Sequence, residues 1–567
     1  MRERIDRCWE FGQFRLREAD AELLRDGQRV ALARKAFDTL LALVERAGHL
    51  VPKDELMRRV WPDAVVEEAN LANNVSLLRR VLGDPRIIET VPGRGYRFAA
   101  PVRETAVTQA EPPSVAVLPF RVLGAADDEY LGLGFADALI TRLATVRGLR
   151  VRPTSAVARW TSPADPLAVG RALRVGAVLE GTIRVAAERI RVTAQLVDVE
   201  EASPLWTGKF DERLSDIFAV EDAISERIAR SLSEAVLGDD ADPLRETRNS
   251  EAHRLYLKAR YLQSKLTRDS LRKAIDAFTA AAEIDGAYAR AHAGIAECWC
   301  WLSHFHVSPR EALPRARAAA ERALALDEGV AEAHLALGLV RMWYDWDWRS
   351  AGAAYRRALD LSPSHAAAHT WYAFDLTIQA RHDEAIGVAR RALALDPLSL
   401  PARACLGWVL YCARRPRDVV AEMEPAIELD PGFYLAHYAV GIARLLADEP
   451  TAAIAALAEG VRLSGRSPEV VSALAHAHAV AGGDDEARRL LAELDARSER
   501  GEVSAYHAAV VRAALGEADG AIAGLERALA ERSEWLVWLA VEPRLDGLRR
   551  DRRFARLAER VGTVAAP

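Results

Sequence analysis

Between Trp9 and Leu16, and again from Gln28 to Leu32, apolar and polar residues alternate around a turn at Asp26-Gly27. A two-residue period is that of half-buried strands. The period then lengthens. Phe37, Leu40, Leu41 and Val44 recur at helical spacing, and Gly48 ends that run. Lys53–Val60 predicts a second short helix closed by Trp61-Pro62, and Asn70–Leu82 a third. The third carries Leu71, Val75, Leu78, Val81 and Leu82 on its buried face and stops at Gly83-Asp84-Pro85. Ile87–Val91 and Tyr96–Ala99 return to alternation across Pro92-Gly93-Arg94-Gly95, which predicts a hairpin.

Beyond this module the texture changes twice. Residues 103–113 are polar, end in Pro112-Pro113, and read as a linker. Residues 114–237 mix strand and helix patterns: strands at Val115–Phe120 and Leu149–Arg152, helices at Leu133–Leu143, with Asp137 on its outer side, and Pro166–Leu173. A hairpin follows, Val178–Val185 and Ile190–Val199 around Ala187-Glu188, then a sheet extension at Leu205–Phe210 and a long helix at Val220–Val236. The acidic run Gly238-Asp239-Asp240-Ala241-Asp242-Pro243 opens a second linker, 238–250.

Residues 251–567 repeat. Small or short residues recur at Ala274, Ala316, Ala351, Ala385, Val419, Ala453, Ala487 and Ala521, in steps of 42, 35 and then five times 34. Seven residues later stand Ala281, Ala323, Ala358, Ala392, Ala426, Gly460, Leu494 and Ala528, and in the upstream helices Gly407, Gly441, Ala475 and Ala509. Antiparallel helices approach closely only where side chains are small, and Pro363, Pro397 and Pro431 stand where one repeat must stop. This period resembles the tetratricopeptide repeat, about eight copies with a C-terminal capping helix. The 42-residue step predicts a longer loop near His304–Pro309. Such arrays present a groove for a protein or peptide. His292, His334, His369 and His437 read as packing or groove residues, and Trp343, Tyr344, Trp346 and Trp348 as core and turn packing.

The first hundred residues resemble the winged-helix effector domain of OmpR/PhoB-type and CadC-like regulators. The resemblance is carried by Lys35-Ala36-Phe37, Gly48-His49-Leu50-Val51, Glu55-Leu56, Val60-Trp61, Leu78-Arg79-Arg80, Leu82-Gly83-Asp84 and the stretch Ile88 to Phe98. It implies a third helix in the major groove and a wing at the minor groove of double-stranded DNA. On the third helix Asn73, Asn74, Ser76, Arg79 and Arg80 offer the chemistry: Asn pairs bidentately with adenine, Arg with guanine or phosphate. Arg94 sits between two glycines at the wing tip with Arg97 just beyond, placed for a narrow minor groove. Lys35 and Lys53 are expected to contact phosphates. Leu77 departs from the polar residue many relatives have there. In the middle segment Ser114 to Phe120, Leu179-Glu180-Gly181 and Ala194-Gln195-Leu196 resemble a FlgO/TolB-N-like domain, which implies no established chemistry.

The expected fold class is therefore multidomain α+β: a winged helix-turn-helix (1–102), a central α/β domain (114–237) and an all-α solenoid (251–567). Net charge is -6, but from Asn70 to Arg97 five Arg face Asp84 and Glu89, a local +3 (5 − 2). An acidic body with a basic reader suits a modular DNA binder. The five cysteines match no zinc spacing and read as buried thiols. No run approaches the ~20 apolar residues of a membrane span, so a cytoplasmic protein with no membrane partner is expected. No paired carboxylates, activated nucleophile or metal cluster stand at useful spacing, so no enzyme, metal or cofactor is expected. The expected function is transcription regulation, with RNA polymerase and a second copy on DNA as further partners. The competing reading is a scaffold whose winged helix binds protein.

Overall fold

The computed structural model describes residues 6–563 except 18–21, 26–27, 31, 33, 62–67, 108–112, 125–127, 145, 147–148, 161–164, 187–188, 214–219, 222, 225–226, 229–246, 248 and 306. The chain divides into two compact units, Met1–Glu111 and Pro112–Pro567.

In the first unit, β1 (Asp6–Phe11), β2 (Phe14–Arg17), β3 (Glu22–Arg25) and β4 (Gln28–Val30) form an antiparallel meander. The alternation Trp9–Leu16 is thus two strands, because Gly12 turns the chain at φ +56°. The Asp26-Gly27 turn lies outside the described residues. Helices α1 (Arg34–Val44), α2 (Lys53–Val60) and α3 (Glu68–Leu82) follow, with β5 (Leu50–Pro52) between the first two. Strands β6 (Ile88–Val91) and β7 (Gly95–Phe98) complete a small sheet of order β5-β7-β6. Part of the stretch read as a linker is instead β8 (Arg103–Val107), which pairs with β1 from Asp6↔Val107 to Glu10↔Arg103. Five residues are too few to show a period, and only the free edge of β1 makes them a strand.

Burial explains the helices. Leu71, Val75, Leu78 and Leu82 of α3 are at most 3% exposed, spaced 4, 3 and 4 residues along one face. They pack against Phe37, Leu40 and Leu43 of α1 and Leu56 of α2, and Phe98 meets Phe11 edge-on at 5.0 Å between ring centroids. Val81 and Leu77 are only partly buried, at the rim of this core.

The second unit starts with a sheet of β9 (Ser114–Val117), β10 (Arg121–Val122), β11 (Arg150–Val151), β12 (Ala177–Ala186), β13 (Arg189–Asp198) and β14 (Pro204–Arg213). Its order is β11-β9-β12-β13-β14, parallel where β9 pairs β11 and β12, antiparallel from β12 to β14. Helices α4 (Tyr130–Leu143), α5 (Thr154–Val157) and α6 (Pro166–Leu173) accompany it. Of the expected helix at Val220–Val236 and the linker 238–250, most residues lie outside those described.

Eight helical hairpins then stack among the described residues, from Ser250–Ser264 with Arg268–Ile284 to Ala505–Ala514 with Ala518–Glu531. Arg552–Val561 closes the array. All eight small positions from Ala274 to Ala521 are 0% exposed. A Cβ on Gly441 would stand 2.4 Å from Leu457 Cγ, so the partner helix occupies the space that a side chain would need. The 42-residue step adds no loop. Helices Ala289–Phe305 and Pro309–Leu326 have 17 and 18 residues, where the hairpin Ala366–Ile378 with His382–Leu395 has 13 and 14. The eight extra residues lengthen each helix by four, about one turn, which keeps the stacking register.

The array and the α/β part share one core. Asp137, read as outward-facing, is 3% exposed: Arg260 of the first array helix donates to it at 2.7 Å, and Thr154 at 2.5 Å. Burial opposes its charge, but the Arg260 guanidinium outweighs that and holds the carboxyl below its usual value. Gly134 approaches the same helix so closely that a Cβ would stand 2.8 Å from Leu257 Cβ. Arg152 donates to the carbonyls of Ala394 (2.5 Å) and Leu395 (2.7 Å), and Ser155 to Asp396 (2.9 Å). The five cysteines are buried.

The groove expected in the array is largely filled by the chain itself. Two short 3-10 helices, Glu534–Trp538 and Pro543–Leu548, lie against the first helices of successive hairpins. Trp538 packs on Trp343 (6.3 Å), Phe374 (5.5 Å) and Trp408 (5.3 Å), and Trp535 on Tyr506 (5.9 Å) and His507 (5.0 Å). Glu542 and Arg544 form an ion pair with side chains 0% and 4% exposed, extended by the hydroxyls of Tyr411 (2.8 Å) and Tyr438 (3.2 Å). His334, His369 and His437 cap inter-repeat turns instead: each Nε2 donates to the carbonyl six residues back, Glu328, Pro363 and Pro431.

Candidate nucleic-acid interface

The third helix exposes one stripe. Ala69, Asn73, Ser76 and Arg80 are exposed at spacings of 4, 3 and 4 residues, with Ala72 beside them. This is the reverse of the face that buries Leu71, Val75, Leu78 and Leu82. Three of the five are Ala or Ser, so the helix backbone can approach a neighbour closely, with Asn73 and Arg80 reaching beyond.

Two residues expected on that face point elsewhere. Asn74 donates from Nδ2 to Lys35 O and to Thr39 Oγ1, both at 3.1 Å, and so ties α3 to α1. Arg79 turns the other way. Its Nε and Nη2 donate to Ile88 O at 2.9 and 2.5 Å, and Nη2 also to Thr90 Oγ1 at 2.8 Å. This fork ties α3 to the first wing strand. Sequence spacing alone could not separate these roles, because both residues flank the exposed stripe by one position.

The basic residues outside α3 are also differentiated. Arg94 is exposed at the wing tip, where its N–H donates to Val91 O (3.0 Å) and its carbonyl accepts from Lys53 N (3.2 Å). The flanking glycines serve the backbone: Gly93 has φ +71°, and a Cβ on Gly95 would stand 2.1 Å from Val51 O. Arg97 is partly buried and faces Glu89 across the strands at 3.6 Å. Lys53 pairs with Glu68 at 2.6 Å, which raises its pKa. Lys35 donates to Val60 O at 2.5 Å and so closes the C-terminus of α2. Leu77, the departure noted in the sequence, rests partly buried against the core. What the sequence reading missed is the small-residue character of the stripe at Ala69 and Ala72; the signal was their spacing from Asn73, Ser76 and Arg80.

Two segments of the chain match known protein families. Residues 27–98 match the family "Transcriptional regulatory protein, C terminal", and residues 110–227 the family "HilA/YgeH-like transcriptional regulator, second domain". The second match covers the segment whose sequence resembles FlgO/TolB-N-like domains. The transcriptional regulator HilA of Salmonella typhimurium is 26% identical over 379 residues, 65% of this chain and 67% of that protein. A putative adenylate cyclase 3 of Rhizobium meliloti is 32% identical over 239 residues, 41% of this chain and 40% of that protein. The transcriptional activator CadC of Escherichia coli is 31% identical over 86 residues, 14% of this chain and 17% of that protein. Among solved structures, the DNA-binding domain of E. coli CadC is 27% identical and covers 17% of this chain and 94% of its own, at a TM-score of 0.16. The tetratricopeptide protein YrrB is 22% identical and covers 35% of this chain and 98% of its own, at a TM-score of 0.27. Among the described residues no helix is long and apolar enough to cross a membrane. The match of the winged helix to the transcriptional regulatory family, the HilA/YgeH-like second segment and the tetratricopeptide-type array together support a winged-helix regulator with tetratricopeptide-type repeats.

Proposed function

We propose that α3 reads the major groove through Asn73, Ser76 and Arg80 while Arg94 enters the adjacent minor groove. The exposed stripe of α3 carries this reading: polar tips on a small-residue surface, opposite the buried Leu71-Val75-Leu78-Leu82 face. Asn73 suits adenine, and Arg80 guanine or phosphate. Asn74 and Arg79 act as positioning residues that set α3 against α1 and the wing. Lys53 and Arg97, on exposed or half-exposed pairs, can exchange their carboxylate partners for phosphates, and Lys35 supports the end of α2. The regulator works in the cytoplasm. Two copies on tandem half-sites supply affinity that one small module lacks, and a copy placed upstream of a promoter meets RNA polymerase.

The array receives the signal. Its groove is occupied by the chain's own residues 534–548 along much of its length, so an effector engages what that segment leaves open. A binding titration on fragments upstream of the protein's own gene, at two salt concentrations, tests the DNA reading. Sequence-preferring binding that Arg80→Ala with Arg94→Ala weakens supports it. Equal binding to every fragment, or no binding, overturns it in favour of a scaffold.

A further inference from the structure

The six-stranded sheet of the second unit covers its two faces unequally. Leu179 and Ile183 of β12 and Ile190, Val192, Ala194 and Leu196 of β13 point to one side and are 0% exposed. On the other side α6 covers one end: a Cβ on Gly170 would stand 2.4 Å from Val199 Cγ2 and 2.9 Å from Val178 Cγ2. Away from α6 that face is exposed, and strand alternation brings to it Arg184, Arg189, Arg191, Lys209 and Arg213. Arg121 of β10 joins them, paired in register with Thr182. Among the described residues of this face the acids are Glu180 and Asp211, which leaves a local +4 (6 − 2) in a chain of net charge -6. Glu212 stands opposite Ile190 and so belongs to the other side.

Two features separate this patch from an ordinary solvated face. The register sets like charges directly opposite each other: Arg184 faces Arg191 across β12 and β13, and Arg189 faces Arg213 across β13 and β14. Such pairs oppose sheet stability, and an anion laid across them reverses the effect. Asp211 serves Arg189 at 2.8 Å and Arg191 at 2.5 Å together, so one carboxylate leaves that trio positive. Arg184, Lys209 and Arg213 form no ion pair among the described residues. The second feature is extent. The cations span four neighbouring strands, a width of about 14 Å at the usual strand spacing, and do not converge on one point. Exposed Thr193 and Thr207 lie between them as neutral donors. A small anion engages one or two of these groups, whereas a row of phosphates engages the set.

We propose that this bare sheet face is a second DNA contact, which lies along the phosphate backbone of the duplex that the winged helix reads. The inference rests on the DNA reading of the first unit and adds to it a contact that carries no base preference. Only residues 108–113 separate β8 from β9 in the chain. DNA held by the first unit is therefore at high effective concentration for the second, and contacts too weak to act alone add to the affinity.

Fluorescence anisotropy of the full-length protein across a salt series tests this. The probes are a duplex from upstream of the protein's own gene and a scrambled duplex of equal length. The variant Arg184→Ala with Lys209→Ala and Arg213→Ala should lower the salt slope by about two to three on both duplexes and leave the ratio of the two affinities unchanged. Asp211→Asn, which removes the one carboxylate shared by Arg189 and Arg191, should raise the slope by about one. Circular dichroism checks that each variant folds; if the triple variant does not, Lys209→Gln alone should lower the slope by about one. An unchanged slope in these variants overturns the proposal, and a retained preference between the duplexes then leaves the winged-helix reading standing. A lowered slope without any preference between the duplexes keeps the sheet contact and removes the sequence-reading role. No binding to either duplex removes both. Vesicles of phosphatidylglycerol and phosphatidylcholine form the remaining arm: vesicle binding that the triple variant loses, with its DNA slope unchanged, overturns the proposal in favour of an anionic lipid surface.

Discussion

Arg79 and Thr90 join the reading helix to the wing: the guanidinium Nη2 of α3 donates to the threonine hydroxyl of β6 at 2.8 Å while also holding the Ile88 carbonyl. A planar fork fixes two directions at once, which a lysine ammonium cannot do. The angle between α3 and the wing is therefore set within the first unit before any DNA is met. Arg79→Lys and Arg79→Ala are expected to loosen it. A lost charge-assisted hydrogen bond is worth about 1.5–3 kcal/mol. Amide exchange along α3 and β6 should accelerate by at least tenfold. Unchanged exchange would remove Arg79 from the positioning role.

Arg80 and Arg94 differ from Arg79 in facing outward. Arg80→Ala should cost about 1–3 kcal/mol of binding on the preferred site and relax the preference at one base pair. Arg94→Ala should weaken binding and lower the salt slope by about one phosphate equivalent. Fluorescence anisotropy at several salt concentrations separates the two effects. A uniform loss across all sequences for Arg80→Ala would make it a phosphate contact.

The two wing glycines should respond differently. At Gly93 there is open space, so Gly93→Ala faces only the left-handed backbone, a cost of about 1–2 kcal/mol. At Gly95 a Cβ would stand 2.1 Å from Val51 O, a backbone atom that cannot yield without parting β5 from β7. Gly95→Ala should destabilise the unit more than Gly93→Ala and reduce DNA binding with it. Urea titration followed by a probe in the first unit orders the two.

The Glu542–Arg544 pair anchors the segment that fills the groove. Removing one partner strands a buried charge at a cost of about 3–5 kcal/mol. Glu542→Gln should lower the array's melting temperature markedly, and Glu542→Gln with Arg544→Met should recover most of the loss. Equal melting of the single and double variants would show that the pair contributes through shape alone.

Acid stability of the array should reflect two opposing sets of groups. Burial holds His476 down to about 4 and His507 down to about 3. Below the ordinary histidine value of about 6.5 the unfolded chain takes up protons that the folded chain refuses, so these residues make stability fall as pH falls. Burial raises Asp375 to about 7, and there the folded chain binds the extra proton between about pH 4 and 7, so this term makes stability rise as pH falls. Glu534, raised likewise, adds to it. The two sets oppose each other between about pH 4.5 and 6.5. Asp375→Asn removes one opposing proton, and the unfolding free energy from urea titration should then decline toward acid by about 1.4 kcal/mol per pH unit relative to the unsubstituted protein. No difference in slope would place the Asp375 titration outside this window.

What the sequence determined by itself is local and periodic. The apolar stripe Leu71-Val75-Leu78-Leu82 required a helix with one buried face, and the 34-residue recurrence of Ala and Gly required helix pairs in close contact, since both patterns follow from 3.6 residues per turn and from side-chain volume. Tertiary structure alone decided the rest. Asn74 and Arg79 left the reading face because acceptors on α1 and β6 stand within reach, and nothing in their spacing records those distances. Asp137 became internal because Arg260, 123 residues away, arrives on its side of α4. Residues 534–548 fill the groove because Trp538 and Glu542 find aromatic rings and hydroxyls supplied by separate hairpins. Periodicity fixes which side of an element is buried; the partner that covers it is set by contacts between residues far apart in the chain.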